Sequence, residues 1–158
     1  MQVIVFLLGD AEFAVPITQA VRIVRLSPVT RVPRAPHFLA GVINVEGDII
    51  PVIDLKKRFS LPASSYGPKA RIVVVETEGQ RLGMMVDRVR EVYTVSKDAV
   101  EPAPAMVADI NGVYLRGVVR RENRLLVLLD LKNVLTLQEV SALYDLSSNP
   151  FSPEEETR

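Results

Sequence analysis

Two aspartates, Asp54 and Asp130, are the residues best suited to act as a catalytic pair, because paired carboxylates can divide general acid and general base roles. Each aspartate follows a short apolar run and precedes a Leu-Lys dipeptide. A carboxylate in that place is typical of a helix N-cap, where it accepts a hydrogen bond from the first turn of the helix. We therefore predict two capped helix starts and not a catalytic dyad.

The other chemistry-bearing residues form no recognisable catalytic or metal-binding motif. His37 is the single histidine and lies beside Pro36 in a predicted surface loop. The chain contains no Cys, which excludes thiolate catalysis and Cys-based zinc sites. It also has no nucleophile elbow, phosphate loop or dinucleotide fingerprint. We therefore expect no cofactor, no bound metal and no enzymatic activity.

Length and charge narrow the class of partner. The chain has 158 residues, which fits one ordinary domain, and its 19 Lys and Arg residues balance 19 Asp and Glu residues. This balance argues against nucleic acid and against direct contact with an anionic membrane. No apolar run approaches the roughly 18 residues of a membrane span. We expect a soluble cytoplasmic protein, and we expect the chain that starts at Met1 to be complete.

Short runs rich in β-branched residues, separated by turn residues, predict an all-β sandwich or barrel. Helix signals are few, and Ser147 to Arg158 hold two Pro, three Glu and three Ser, which predicts a flexible acidic tail. The predicted strands include residues 3–8, 72–75 and 125–129, and the predicted helices are residues 54–59, 130–135 and, near the C-terminus, 137–146.

An internal repeat is the most informative feature of the sequence. Residues 38–61 align without a gap on residues 114–137 at a shift of 76, with eight of 24 positions identical. Earlier residues, such as Ile4 and Val73, match at a shift of 69. Units of this size are marginal alone, so we predict two lobes that share apolar surface. Gly41 and Gly117 recur in the repeat, which indicates close packing or an unusual φ.

Residues 41–55, which read Gly-Val-Ile-Asn-Val-Glu-Gly and end in Pro-Val-Ile-Asp-Leu, resemble the signature of CheW, the coupling protein family of bacterial chemotaxis. The resemblance extends from Val3 to about Leu146 and includes Val86-Asp87 followed by Val89. It implies two five-stranded β-barrels around a shared hydrophobic core, with short helices at the lobe ends and a C-terminal helix, in a single domain over residues 1–146.

The same resemblance implies a non-catalytic adaptor that joins the cytoplasmic tips of chemoreceptors to the regulatory domain of the histidine kinase CheA, at membrane-associated receptor arrays. Other interpretations remain. The adaptor could serve twitching, gliding or another non-flagellar output, or the chain could be part of a larger kinase or of a fusion with a receiver domain. From another class, a small-barrel enzyme or nucleotide-binding protein would need a polar pocket with convergent titratable groups.

Transferred by position, the resemblance also names candidate binding residues. The receptor set is Ile17, Ala20, Val21, Val86 and Val89, and the kinase set is Glu101 to Met106 with Ile49 and Pro51. An equal alternative is that several members of the receptor set fill the core between the lobes. In the kinase set, Met106 would be an adaptable apolar anchor.

Three charged residues depart from the family pattern. This chain has Glu46 where the family usually has Arg, and Arg22 where the family usually has Glu. The charges at the two positions are therefore both inverted. We predict that Arg22 and Glu46 form an ion pair at the border of the receptor groove and affect partner choice more than stability. Glu101 stands where the family often has Arg, so we expect its kinase partner to carry a compensating cation.

Overall fold

The computed structural model describes residues 1–62, 64–102 and 115–134, and these residues are mostly β-strand. Two 3₁₀ turns, Ile17–Gln19 and Lys97–Ala99, complete the regular structure of this part of the chain. The strands are β1 (Gln2–Leu8), β2 (Ala11–Pro16), β3 (Ala20–Arg25), β4 (Leu39–Val45), β5 (Asp48–Asp54), β6 (Arg71–Thr77), β7 (Gln80–Val86), β8 (Arg88–Thr94), β9 (Val100–Glu101), β10 (Leu115–Arg121) and β11 (Arg124–Leu129), and the helices are α1 (Leu55–Arg58) and α2 (Leu131–Val134).

The internal repeat predicted from the sequence is confirmed by the element boundaries. Adding 69 to the bounds of β1 gives those of β6, and adding 76 to the last residue of β4 and to the first residue of α1 gives the last residue of β10 and the first residue of α2. Both helices begin directly after the aspartates predicted to cap them. Asp54 accepts a hydrogen bond from Lys57 N (3.2 Å), and Asp130 accepts one from Lys132 N (3.1 Å).

Each sheet combines strands from both copies of the repeat. One sheet has the order β8-β1-β2-β11-β10-β9, and the other has the order β3-β6-β7-β5-β4. The first hairpin of each copy therefore lies between the third strand and the second hairpin of the other copy. Parallel pairing of β5 with β7 and of β2 with β11 joins the hairpins of the two copies within each sheet. Neither copy completes a sheet without strands from the other.

Three apolar clusters divide the interior. The largest cluster takes residues from both sheets, including Phe6 and Phe13 from one and Val73 and Met84 from the other. A second cluster lies against the inner face of the six-stranded sheet, and a third lies against that of the five-stranded sheet. Strands such as β1 and β6 are buried on both faces, which explains their continuous β-branched runs. The two sheets, called here the six-stranded lobe and the five-stranded lobe, therefore share one apolar cluster.

The expected pair of five-stranded barrels is not confirmed. One sheet has six strands, and neither ladder closes among the described residues. After the edge strand β3, the chain reaches the far edge of its sheet through a single bridge, in which Thr30 N donates to Val42 O (3.0 Å) and Val42 N donates to Thr30 O (2.8 Å). Pro28 and Pro33 flank that bridge and lack the N–H that a longer ladder needs.

Two other predictions concern residues outside the described part of the chain. These are the C-terminal helix over residues 137–146 and the acidic tail over residues 147–158. The domain boundary at residue 146 likewise stays a prediction.

The close packing predicted for Gly41 and Gly117 is present at both positions. A Cβ on Gly41, whose φ is +152°, would collide with the carbonyl oxygen of Thr30. A Cβ on Gly117 would lie 2.7 Å from both Glu101 O and Val100 Cγ1. In both copies a register shift adjoins the glycine. At Gly41, strand β4 meets the segment that follows the edge strand β3, and at Gly117, strand β10 meets β9, which follows the edge strand β8.

We expect Gly41→Ala to lower the free energy of unfolding by about 2–4 kcal/mol, because the added methyl group meets a backbone oxygen at a positive φ. Gly67→Ala is the matched control, since a Cβ there meets nothing within 4 Å. Urea unfolding followed by circular dichroism measures both variants. Equal stabilities for the two alanine variants would contradict the close approach at Gly41.

Candidate functional site

A buried ion pair lies where the chain passes from one sheet to the other. Lys56 of α1 is buried, and its Nζ lies 2.8 Å from Asp87 Oδ1, in the connection between β7 and β8. Asp87 Oδ2 accepts a hydrogen bond from Gly9 N (2.7 Å), and Asp87 N donates to Leu7 O (2.9 Å). Asp87 therefore holds the β1–β2 turn of one sheet against α1 of the other. This contact accounts for the Val-Asp pattern noted in the sequence.

Tyr66 extends the polar network around Lys56. The Nζ of Lys56 lies 3.8 Å from the centroid of the Tyr66 ring and also donates to Ser64 Oγ (2.8 Å). The Tyr66 hydroxyl donates to Asp54 Oδ1 at 2.7 Å. Burial, followed by this hydrogen bond to a carboxylate, raises the pKa of Tyr66 far above its ordinary value. The hydroxyl thus stays a donor over the whole neutral range, and Asp54 serves as a structural group.

We expect Lys56→Met to lower the free energy of unfolding by about 2–4 kcal/mol, because it leaves the Asp87 carboxylate without its cation. In a double-mutant cycle with Asp87→Asn, the double variant should lose about 1–3 kcal/mol less than the sum of the single losses. Chemical denaturation measures the cycle. Additive losses would show that the pair does not couple the two sheets.

Three of the five predicted apolar receptor residues lie at the border of the largest apolar cluster, here called the central cluster. Ile17, Ala20 and Val89 are half-buried and pack against that cluster. Val86 is fully buried within the cluster, which agrees with the alternative that some members of the receptor set fill the core. Val21 differs from them because it is 43% exposed on the edge strand β3. Of the five apolar residues, Val21 offers the most surface to a partner.

A cleft of about 420 Å³ opens beside Ile17. The 3₁₀ turn that carries Ile17 follows β2 of the six-stranded sheet and precedes β3 of the five-stranded sheet, so the cleft lies near a crossing between the lobes. Its wall is formed by Met1, Gln2, Pro16, Ile17, Thr18, Gln19 and Arg116.

The predicted ion pair between Arg22 and Glu46 is present, and both side chains are largely exposed. Arg22 belongs to the edge strand β3, and Glu46 lies in the turn between β4 and β5. That turn is tight, with positive φ at Glu46 and Gly47, and Gly47 N donates to Asn44 Oδ1 (2.9 Å). Because β3 and β4 are the two edges of the same sheet, the ion pair links edges that the backbone ladder leaves apart.

The predicted kinase residues differ in how much surface they present. Ile49, near the start of β5, is 41% exposed, whereas Pro51 is buried two residues later. Glu101 forms an ion pair with Arg120, with 2.8 Å between Oε2 and Nε. The cation expected from a partner for Glu101 is therefore already supplied within the chain. Met106 lies outside the described residues.

Three exposed apolar residues that belong to neither predicted binding set lie on the two lobes. Leu125 is 49% exposed and Val92 is 51% exposed, and Ile23 is similarly exposed. A shift of 76 carries Ile49 onto Leu125, and a shift of 69 carries Ile23 onto Val92. The repeat thus contained the signal for Leu125, because it places that residue at the position equivalent to the selected Ile49. Leu125 also pairs across the ladder with Arg120, the partner of Glu101.

Three arginines of the second half surround Glu12. The Glu12 side chain is buried, and its carboxylate lies 3.2 Å from Arg124, 3.7 Å from Arg90 and 3.9 Å from Arg121. Arg121 also donates to Glu91, and that hydrogen bond and the charge of Arg121 lower the pKa of the Glu91 carboxyl. The cluster closes one end of the six-stranded lobe with paired charges.

The described residues contain no group of three or more acidic, His or Cys side chains placed to hold a metal ion. No helix within the same ranges is long and apolar enough to cross a membrane. The distinguishing surface features are exposed apolar side chains beside ion pairs, which are typical of a protein-binding module.

Comparison with known proteins identifies the kind of module. The family model of the CheW-like domain matches residues 2–139. The chain is 36% identical over 134 residues to Chemotaxis protein CheW of Bacillus subtilis (strain 168), with 85% of this chain and 86% of that protein covered. It is 34% identical over 142 residues to Chemotaxis protein CheW of Rhizobium meliloti (strain 1021), with 89% and 91% covered.

A solved structure agrees with these relatives. The crystal structure of scaffolding protein TtCheW from Thermoanaerobacter tengcongensis matches with a TM-score of 0.81 and 31% identity, covering 87% of this chain and 89% of that chain. The chain therefore belongs to the CheW-like family, and its function is that of a scaffold in chemotaxis signal transduction.

Proposed function

We propose that the chain couples chemoreceptors to a CheA-type histidine kinase by binding each partner with a different face and without catalysing a reaction. The observation that carries this proposal is that two exposed apolar residues, Val21 on the edge strand β3 and Ile49 on β5, belong to different strands and lie near the exposed Arg22–Glu46 ion pair. Apolar residues left in solvent beside fixed charges favour specific protein contacts. In this proposal the chain works in the cytoplasm, at receptor arrays on the membrane.

The proposed receptor face centres on Val21. Ile17, Ala20 and Val89 supply half-buried apolar surface around the same border of the central cluster. A helical receptor tip, which is the partner implied by the family, would lay its apolar stripe on that surface. The Arg22–Glu46 pair presents charges inverted from the usual family pattern, so it would favour receptors with the matching inversion and repel others.

The proposed kinase face has one part on each lobe. Ile49 supplies the exposed apolar side chain of the five-stranded lobe, and Leu125 is its equivalent in the other lobe. Leu125 adjoins the Arg120–Glu101 ion pair, from which the chain continues to Met106. Because Glu101 is neutralised internally, the proposed contact needs apolar complementarity more than a cation from the kinase.

We expect Val21→Asp to weaken binding of a receptor tip about tenfold or more while leaving binding of the kinase regulatory domain unchanged, because a carboxylate would be desolvated at an apolar contact. Ile49→Asp should show the opposite pattern. Biolayer interferometry with purified partners measures both. Val92→Asp is the comparison variant, since Val92 is exposed to a similar degree and belongs to neither proposed set of contact residues. Loss of both partners in either variant, with the fold retained, would refute separate faces.

A charge reversal tests the specificity role of the ion pair. The double variant Arg22→Glu with Glu46→Arg should restore the ion pair, so the free energy of unfolding should stay within about 1 kcal/mol of the wild type. We nevertheless expect weaker binding to the receptor of the same system, because the partner would meet reversed charges. Unchanged receptor affinity in the double variant would show that the pair acts within the chain alone.

A further inference from the structure

Two arginines that have no acidic partner among the described residues face a second cleft, on the five-stranded lobe. This cleft has a volume of about 610 Å³ and lies at the end of β3 farthest from Val21. No acidic residue belongs to its described wall, which is formed by Arg25, Leu26, Tyr66, Gly67, Pro68, Ala70 and Arg71.

Arg25 and Arg71 stand directly opposite each other on the antiparallel strands β3 and β6. Like charges at directly opposed positions repel, and this arrangement is normally avoided or compensated. The Arg71 guanidinium is held in place because its Nη1 donates to Ala70 O (2.7 Å) and Pro68 O (3.2 Å). Among the described residues, no hydrogen bond or ion pair engages the Arg25 side chain. The two cations therefore lack a carboxylate that would offset their repulsion.

Two carboxylates of the network around Tyr66, a residue of the cleft wall, are already engaged. Asp54 accepts the hydrogen bond of the Tyr66 hydroxyl, and Asp87 is paired with Lys56. Lys69, exposed between Pro68 and Ala70 of the cleft wall, adds a third cation in this region. The site thus has the chemistry of an anion-binding cleft, with an ordered guanidinium on one side and a free one on the other.

The charge distribution along the chain indicates which anion is available. The described ranges hold 18 of the 19 Lys and Arg residues but 13 of the 19 Asp and Glu residues, a net charge of +5. Residues 135–158 hold five acidic residues and one basic residue, and three of the acidic residues are consecutive, at 154–156. The balanced total charge therefore divides into a cationic body and an acidic C-terminal segment.

We propose that the cleft between Arg25 and Arg71 binds the carboxylates of Glu154, Glu155 and Glu156 of the same chain. The length of chain after α2 permits this contact. Even with the predicted helix over residues 137–146, the 19 residues from Val134 to Pro153 can span about 45 Å, and a domain of this size is roughly 35–40 Å across. A tethered segment competes at an effective concentration in the millimolar range, so even a weak contact would be occupied.

The test uses the full chain and a fluorescent peptide of residues 147–158 added in trans. In the wild type the chain's own acidic residues compete with the peptide. The variant Glu154→Gln, Glu155→Gln, Glu156→Gln removes that competition and should bind the peptide about threefold or more tightly. Adding Arg25→Gln to this variant should reverse the gain, whereas adding Arg25→Lys should keep most of it. Fluorescence anisotropy measures each affinity.

Arg88→Gln, placed in the triple variant, is the control for general charge, because Arg88 is exposed on the other lobe. It should leave the affinity for the peptide unchanged. Equal peptide affinity in the wild type and the triple variant would overturn the proposal, and so would a gain that persists with Arg25→Gln. An equal loss with Arg88→Gln would also overturn it, since binding would then follow net charge and not the cleft. None of these measurements requires a receptor or kinase, so their outcome is separate from that of the proposed function.

Discussion

The apolar cluster shared by the two sheets is the constraint on which the rest of the molecule depends. Phe6 and Phe13 of the six-stranded sheet meet Val73 and Met84 of the five-stranded sheet there, and the helix residues Leu55 and Leu131 close it. A repeat unit of about 70 residues would expose one side of this cluster and could not supply the missing strands of its own sheet. Association of the two copies by strand exchange buries that surface, and the Lys56–Asp87 pair fixes the crossing between the sheets.

The same arrangement determines which surfaces remain for partners. The three clusters cover the faces of the central strands, so exposed apolar residues occur on the edge strands β3 and β8 and near the starts of β5 and β11. The repeat places equivalent residues on both lobes, which explains why Ile49 has a counterpart in Leu125. Differences in sequence between the two copies then make the surfaces of the two lobes chemically distinct. Arg22 pairs with Glu46 on one lobe, whereas the equivalent Glu91 pairs with Arg121 on the other.

Much of the fold could be predicted from the sequence because it repeats. The alternation of apolar runs and turns predicted the strands, the two aspartates predicted the helix starts, and the two recurrent glycines predicted the close approaches. The exchange of strands between copies could not be predicted in this way. Sheets built from one copy and sheets that combine strands of both copies would bury the same residues, and the pattern of apolar positions does not indicate which copy covers them. Closure of the barrels was expected and is not confirmed, because the segment that follows each edge strand β3 and β8 pairs only briefly across the sheet, at Thr30–Val42 and along the two residues of β9.

The candidate site was predicted less completely than the fold. The Arg22–Glu46 pair could be expected because two departures from one pattern compensated each other. Burial of Val86 and Pro51 could not be expected from their apolar character, which suits a core and an interface equally. The internal partner of Glu101 was also missed, since Arg120 is 19 residues away and only the pairing of β9 with β10 brings the two together.

In the proposed function, one strand-exchanged domain holds two macromolecules at once on separate faces. Sequential binding to the immobilised chain distinguishes separate faces from a shared one. After saturation with a chemoreceptor tip, the kinase regulatory domain should bind with undiminished stoichiometry and affinity and give a ternary complex of one copy of each. Displacement of the receptor tip by the kinase domain would refute separate faces, because it would place both partners on the same surface.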